Sequence, residues 1–463
     1  MAWLRRNRWA LAAVVAGLLL RLFFVIRHPH VEGDSLIYGD LAANLLQHHV
    51  FGVTEAEGIR STLIRLPGYP LFMAACFALF GAGNYTAVLY VQLALDLSAC
   101  CLLGALAAHL MGRRAGLVAL WLAALCPFTA NYVAAPLTET PSIFCAALAF
   151  YALERWSSRL REGAAANGWL WPLAFALVFA DLLRPDRVLL TFAVTAAVIW
   201  MAWKAPGRQH NHALQPVGVL LLLLVLPVAL WGARNWRAFH VVQPLAPKSA
   251  ADPGEFVSNG FNRWYRTWAI EFVSTDNIYW NYDGAEISVD DLPDRAFDAP
   301  EQRARTEEIF DRYNEASAAT PEVDADFAAL AAERVRAHPL RYYVELPVLR
   351  VADMWLRPRT DMLPVAVDWW RVGDHPAESM FSAGYAALNL GYLLLAAVGV
   401  WRWRRQAWRG KLVLGMAMVG FVLLRSAMLL TVDNSEPRYT IDCFPVVIVL
   451  AAFALRVSKS EAQ

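Results

Sequence analysis

MAWLRRNRWALAAVVAGLLLRLFFVI, residues 1–26, opens with Arg5, Arg6 and Arg8 and then runs apolar from Trp9 to Ile26. That run approaches the 17–25 residues a helix needs to cross a hydrocarbon core of roughly 30 Å. Basic residues ahead of a first span place the N-terminus in the cytoplasm. A cleaved leader ends at small residues, whereas Arg27-His28-Pro29-His30 follows here, so the stretch predicts an uncleaved first helix.

The rest of the chain continues the pattern. Hydrophobic residues make up 58% of its 463 positions and charged residues only 17%, which excludes a soluble globular protein. Nineteen tryptophans and fifteen tyrosines suit membrane interfaces. A net charge of +1 gives no support to nucleic-acid binding. The six cysteines lie in apolar runs without metal-ligand spacing and read as small packing residues.

The expected fold is an all-α polytopic membrane protein with about ten spans, near 9–27, 85–110, 115–134, 138–155, 169–183, 187–203, 214–232, 378–401, 411–431 and 439–457. Charge parity selects this set. With the N-terminus inside, the basic segments at 113–114, 155–161, 204–208, 401–411 and 456–459 all fall on the cytoplasmic side. Two further apolar segments, 66–81 and 340–356, break the alternation if counted as spans. They are expected to be re-entrant or interfacial helices on the outer face. Three divisions follow: residues 1–232 with a first outer loop at 28–83, an outer segment at 233–374, and C-terminal spans at 375–463. Within the outer segment, residues 300–338 are rich in Ala, Glu and Arg and predict helix.

Residues capable of chemistry gather in the outer connections. In the first loop, Asp34 begins a helix with Tyr38 on its face, Asp40 and Asn44 following. Asp34 either caps that helix or is a working carboxylate at the water–membrane boundary. Arg65, in Arg65-Leu66-Pro67-Gly68-Tyr69-Pro70, offers a planar fork to phosphate or anchors the segment to headgroups. Glu139 precedes Pro141 and suits the positive end of a helix. Asp181, Arg184, Asp186 and Arg187 crowd one short connection, where mutual salt bridges are the plain alternative to ligand binding. Arg234-Asn235, Ser258-Asn259-Gly260 and Glu436-Pro437-Arg438-Tyr439 complete the set. Asp96, inside the second span on one face with Gln92, has to be paired or protonated and reads as a structural clamp.

In this order the motifs resemble the polyprenyl-phosphate-sugar-dependent glycosyltransferases of the GT-C fold. The nearest branch is family 39, or PMT-2, which is similar to protein O-mannosyltransferases and the lipid A aminoarabinose transferase. The resemblance rests on Gly33-Asp34 through Asn44, Arg65 through Pro70, Leu137-Thr138-Glu139, Leu183-Arg184-Pro185, Arg234-Asn235, and Glu436 through Tyr439 with Pro445. It implies Asp34 as catalytic base, although many members carry a second acidic residue where Ser35 stands, which leaves open a part for Asp40. Many also have Pro where Leu66 stands. Arg65, Arg184 and Arg438 become candidates for the donor phosphate. Tyr38, Asp40, Glu139 and Asn259 become candidates for sugar or acceptor.

The expected reaction is an inverting transfer from a polyprenyl-phosphate sugar to an acceptor hydroxyl of a glycan, lipid or protein, on the outer (periplasmic) face of the inner or plasma membrane. The expected partners are the lipid-linked donor, the acceptor and membrane lipids. No cofactor or metal is expected, because arginines suffice for a donor with one phosphate. A lipid-diphosphate-dependent ligase or polymerase is the alternative within enzymes. A transporter is the alternative of another class, disfavoured because no internal repeat is visible and the charges lie at the outer mouth.

Overall fold

The computed structural model describes residues 2–162, 167–205, 208–406 and 411–455. The basic segment expected at 456–459 lies outside the described residues. The structure divides into two units. The first comprises Met1–Pro253, Gly391–Leu424 and Ile441–Gln463, and the second Gly254–Leu390 and Arg425–Thr440.

Six helices of the described residues are long and apolar enough to cross a membrane: Asn7–Arg27, Tyr85–Met111, Pro185–Trp203, Leu214–Phe239, Pro376–Arg404 and Leu412–Leu429. Arg113–Ala124 followed by Pro127–Ala134, bent by 47°, passes the same test as a pair and forms a broken span or a re-entrant loop. The bend has a local cause, since Pro127 has no amide hydrogen and opens a new helical turn instead of continuing the old one. The other three expected spans are also helical but differ from the simple pattern. Glu139–Arg161 has the length but carries Glu154, Arg155, Arg159 and Arg161 in its last two turns. Leu170–Leu183 and Phe444–Ala454 are apolar and short, with 14 and 11 residues. Gly68–Phe80 is apolar too, but its 13 residues rise only about 20 Å, well short of a bilayer core.

Inside the first unit, Tyr85–Met111 and Arg113–Ala124 form a tight hairpin. A Cβ on Gly116 would lie 2.5 Å from that of Ala108 and 2.7 Å from the Gly104 carbonyl oxygen. Small residues let two apolar helices approach this closely, which is the main source of attraction between helices in lipid. The first helix joins them through Arg21, which interrupts its apolar run and is wholly buried. Its Nε donates to Asp96 at 2.5 Å, and Nη1 and Nη2 donate to the carbonyls of Ala124 and Ala123 at 2.7 and 3.2 Å. These carbonyls lie at the end of a helix that stops ahead of Pro127, and that of Ala123 also accepts from the Cys126 amide at 3.3 Å. The clamp expected at Asp96 is therefore an ion pair, and its cation had no place in the reading of the first span as a plain apolar run.

The first loop holds the helix Asp34–His48, a hairpin pairing Gly52–Glu55 with Gly58–Ser61, and the helix Gly68–Phe80. Arg234 secures this loop. Its guanidinium donates to the carbonyls of Thr62 and Phe51 at 2.7 and 2.8 Å and lies over the Phe51 and Trp231 rings.

In the second unit an aromatic core is built by Phe261, Trp264, Trp268, Phe310, Tyr313 and Phe327. Phe261 stacks on Tyr282 with centroids 3.6 Å apart. The expected helical portion is two helices, Pro300–Ala316 and Pro321–Ala337. They separate because Pro321 starts the second, capped by the Thr320 side chain, which accepts from the Val323 amide. The segment 340–356 is helical and shows a stripe of exposed apolar residues at Leu340, Tyr343, Val344 and Val348.

Candidate active site

Two carboxylate–guanidinium pairs meet around one buried phenol in the first unit. Gly33 takes a positive φ of 53° and occupies the cap position, so Asp34 is the first residue of its helix and not the cap. Its Oδ1 accepts a 2.7 Å hydrogen bond from Arg65 Nη2. Glu139, the first residue of the helix Glu139–Arg161, accepts from Arg184 Nη1 at 3.3 Å. Both acids sit in the first turn of a helix.

Tyr38 lies between the pairs. Its hydroxyl is subject to the charges of Asp34, Arg65, Arg184 and Glu139, and burial first, with Asp34 next, pushes its pKa up to about 12. Its ring meets Tyr69 edge-on at 4.9 Å, with Arg65 6.0 Å above it. Tyr69 is raised further by burial, and its hydroxyl donates to Gln92 at 2.7 Å. Gln92 in turn donates to the carbonyls of Ala135 and Val133. This series joins the first loop to the second span and to the segment leading into Glu139.

The backbone explains why Arg65 and Arg184 share a site. A Cβ on Gly68 would fall 2.6 Å from the Leu182 carbonyl carbon and oxygen, so only glycine lets the turn after Arg65 seat against the chain entering Arg184. Beyond Arg184 the charges continue. Asp186 lies 3.5 Å from Arg184 and 3.0 Å from Arg187, and Arg187 also pairs with Asp442 and donates to Ser142 at 2.9 Å. The crowded connection is thus a salt-bridge network, and Arg184 belongs both to it and to the Glu139 pair. Asp442 escaped the sequence reading because it stands inside a run taken as the last span. An acid in an apolar stretch was the available signal.

The remaining candidates are placed differently. Asp40 accepts from the Thr54 amide and hydroxyl, both at 2.7 Å, and from Asn44 at 3.2 Å, so its carboxylate holds the hairpin to the helix. Arg438 and Asn259 belong to the second unit. Arg438 pairs with Glu436, which also accepts from Tyr439 and Asn434 at 2.5 and 2.7 Å. Asn259 is exposed at a helix start, and its amide donates to the Val257 carbonyl at 3.3 Å. Among the described residues, no three His, Cys, Asp or Glu side chains gather as a metal-binding group.

Helices long and apolar enough to span a membrane, with paired acids and arginines clustered at helix starts, define a class of polytopic membrane protein with a charged site. Residues 65–231 match the sequence model of a family described as dolichyl-phosphate-mannose-protein mannosyltransferase. That segment holds Arg65, Tyr69, Glu139 and Arg184, and it begins after Asp34 and Tyr38. Over those residues the chain is thus similar to the mannosyltransferase family that its motifs resemble.

Among solved structures, the oligosaccharyltransferase of Archaeoglobus fulgidus with a tethered acceptor peptide has a TM-score of 0.48 at 11% identity, covering 98% of this chain and 50% of that one. The same archaeal enzyme with an inhibitory peptide and dolichol-phosphate scores 0.48 at 12% identity, with the same coverage. ArnT from Cupriavidus metallidurans bound to undecaprenyl phosphate scores 0.40 at 13% identity, covering 97% of this chain and 78% of that one. The chain spans about half the length of the archaeal enzyme. No curated protein sequence matches it.

Proposed function

We propose that this protein transfers a sugar from a polyprenyl-phosphate donor to an acceptor hydroxyl on a glycan, lipid or protein, with inversion at the anomeric carbon. The observation that carries the reading is the meeting of the Asp34–Arg65 and Glu139–Arg184 pairs around the Tyr38 hydroxyl. A donor phosphate competes with Asp34 for Arg65 and with Glu139 for Arg184, so its arrival neutralises the arginines and releases the carboxylates. The acceptor oxygen then bonds to the anomeric carbon as the bond from that carbon to phosphate oxygen breaks. The electron pair leaves with the polyprenyl phosphate, and the acceptor proton passes to Asp34. Arginines close to the departing phosphate stabilise charge that grows in an oxocarbenium-like transition state. Glu139 orients sugar or acceptor, Tyr38 donates to a sugar oxygen, and Arg438 is a further phosphate candidate.

Charge parity supports an N-terminus in the cytoplasm and a site on the outer face of the inner or plasma membrane. The reading needs no metal, since the donor carries one phosphate. Transfer from radiolabelled polyprenyl-phosphate sugars in membranes tests it. Asp34→Asn, checked for folding by gel filtration, should lose about 10²–10⁴-fold in rate, the usual worth of a general base. Asp40→Ala, which loosens the hairpin only, should keep most of the transfer. Full transfer by Asp34→Asn would move the base to Glu139. No transfer by the wild type from any such donor would end the reading.

A further inference from the structure

A pocket of about 400 Å³ lies at the helix ends opposite the candidate active site, where Glu139–Arg161, Val188–Trp203 and Leu412–Leu429 finish or begin. Arg161, Lys204 and Lys411 line it together with Trp200, Met201 and Leu414. From Glu139 to Arg161 the helix rises about 33 Å, the full thickness of a bilayer core, so this pocket lies a whole core thickness away from the acids of the candidate active site.

We infer that this pocket binds the headgroup of an anionic diacyl phospholipid, independently of what the protein transfers. Three cations line the cavity, and Glu154 lies 3.4 Å from Lys411 and 3.9 Å from Arg161. That leaves a surplus of two positive charges, from three cations and one carboxylate. Trp200 and Trp203 are 51% and 57% exposed, and the Lys204 amine sits over both rings, at 5.4 and 4.5 Å. Indoles of this kind mark the headgroup level of a membrane. The apolar walls from Met201 and Leu414 offer a seat for the glycerol and upper acyl carbons, which a free phosphate would not use. Basic pockets between spanning helices are established headgroup sites. Bound there, one lipid would tie together helices that meet around the pocket from distant parts of the chain.

Native mass spectrometry of the purified full chain with dioleoyl phosphatidylglycerol or dioleoyl phosphatidylcholine tests this. One phosphatidylglycerol should be retained per chain and phosphatidylcholine should not. Arg161→Gln with Lys204→Gln should weaken retention about thirtyfold, and Lys204→Gln alone about fivefold, from the usual contribution of a cation near anionic lipid. Lys411 is left intact because it also donates to the His109 carbonyl at 2.7 Å and so holds helix ends together. Gel filtration establishes that each variant is folded. Equal retention of the two lipids, or unchanged phosphatidylglycerol binding in the folded double variant, would overturn the inference. So would displacement of the lipid by millimolar inorganic phosphate, which would make the pocket a small-anion site.

Discussion

Replacing Arg21 by Met tests the clamp that joins the first helix to the next two. The substitution keeps most of the volume and removes one bond to Asp96, three to carbonyl oxygens and one to the Cys100 sulfur. Both members of the ion pair are essentially inaccessible, at 0% and 1% exposure, so removing the cation strands a buried acid. Breaking one side of such a pair costs about 3–5 kcal/mol. Replacing both, as Arg21→Met with Asp96→Leu, removes the stranded charge. The Ala124 carbonyl remains without its Arg21 donor, at about 1–3 kcal/mol for a buried group left unsatisfied. The double variant should therefore be about 2 kcal/mol more stable than the Arg21→Met single variant. Equilibrium unfolding in mixed SDS micelles, run as a double-mutant cycle, measures the coupling. If the two single effects simply add, Arg21 and Asp96 are not coupled and the argument fails.

Arg184→Gln should raise the apparent KM for the lipid-linked donor by about 10–100-fold, as expected for one lost charge-assisted hydrogen bond. Unchanged donor affinity in transfer kinetics would take Arg184 out of the site. Gly68→Ala forces a methyl group to 2.6 Å from the Leu182 carbonyl and should lower both the melting temperature and transfer. Wild-type values for both would show that the contact yields easily. In a difference titration against Tyr38→Phe, followed by phenolate absorbance, the missing step should lie near pH 12, not at the ordinary 10.0. Because the folded state holds this proton more tightly than the unfolded chain does, the associated stability is complete below pH 10.0 and fades as pH rises towards about 12.

Local patterns in the sequence made several of these features legible. Uncharged or nearly uncharged runs marked the long spans, and the spacing of Asp34 and Tyr38 put both on one helical face. The crowding of Arg184, Asp186 and Arg187 announced its salt bridges, whereas Asp181 accepts from the Thr191 hydroxyl at 2.8 Å. Contacts between distant segments left no such trace. Arg21 and Asp96 are 75 residues apart, and nothing near either one names its partner. The sequence left open a part for Asp40 beside Asp34, and nothing near it announced that its oxygens accept from Thr54 in the hairpin at 52–61. Of the two short apolar helices, Leu170–Leu183 keeps the expected bounds of 169–183 almost unchanged, and Phe444–Ala454 opens at Pro445 inside the expected 439–457.

Arg21 also has a consequence for how the chain is made. The carbonyl of Ala124 that receives it is encoded 103 residues later. At translation rates of about 5–20 residues per second, the first helix exists for roughly 5–20 s before that acceptor emerges from the ribosome. During this time a guanidinium with no partner is unwelcome in hydrocarbon, at about 2.5–3.5 kcal/mol. The first segment is therefore expected to linger at the insertion machinery and to enter lipid together with the next two helices, as a group of three.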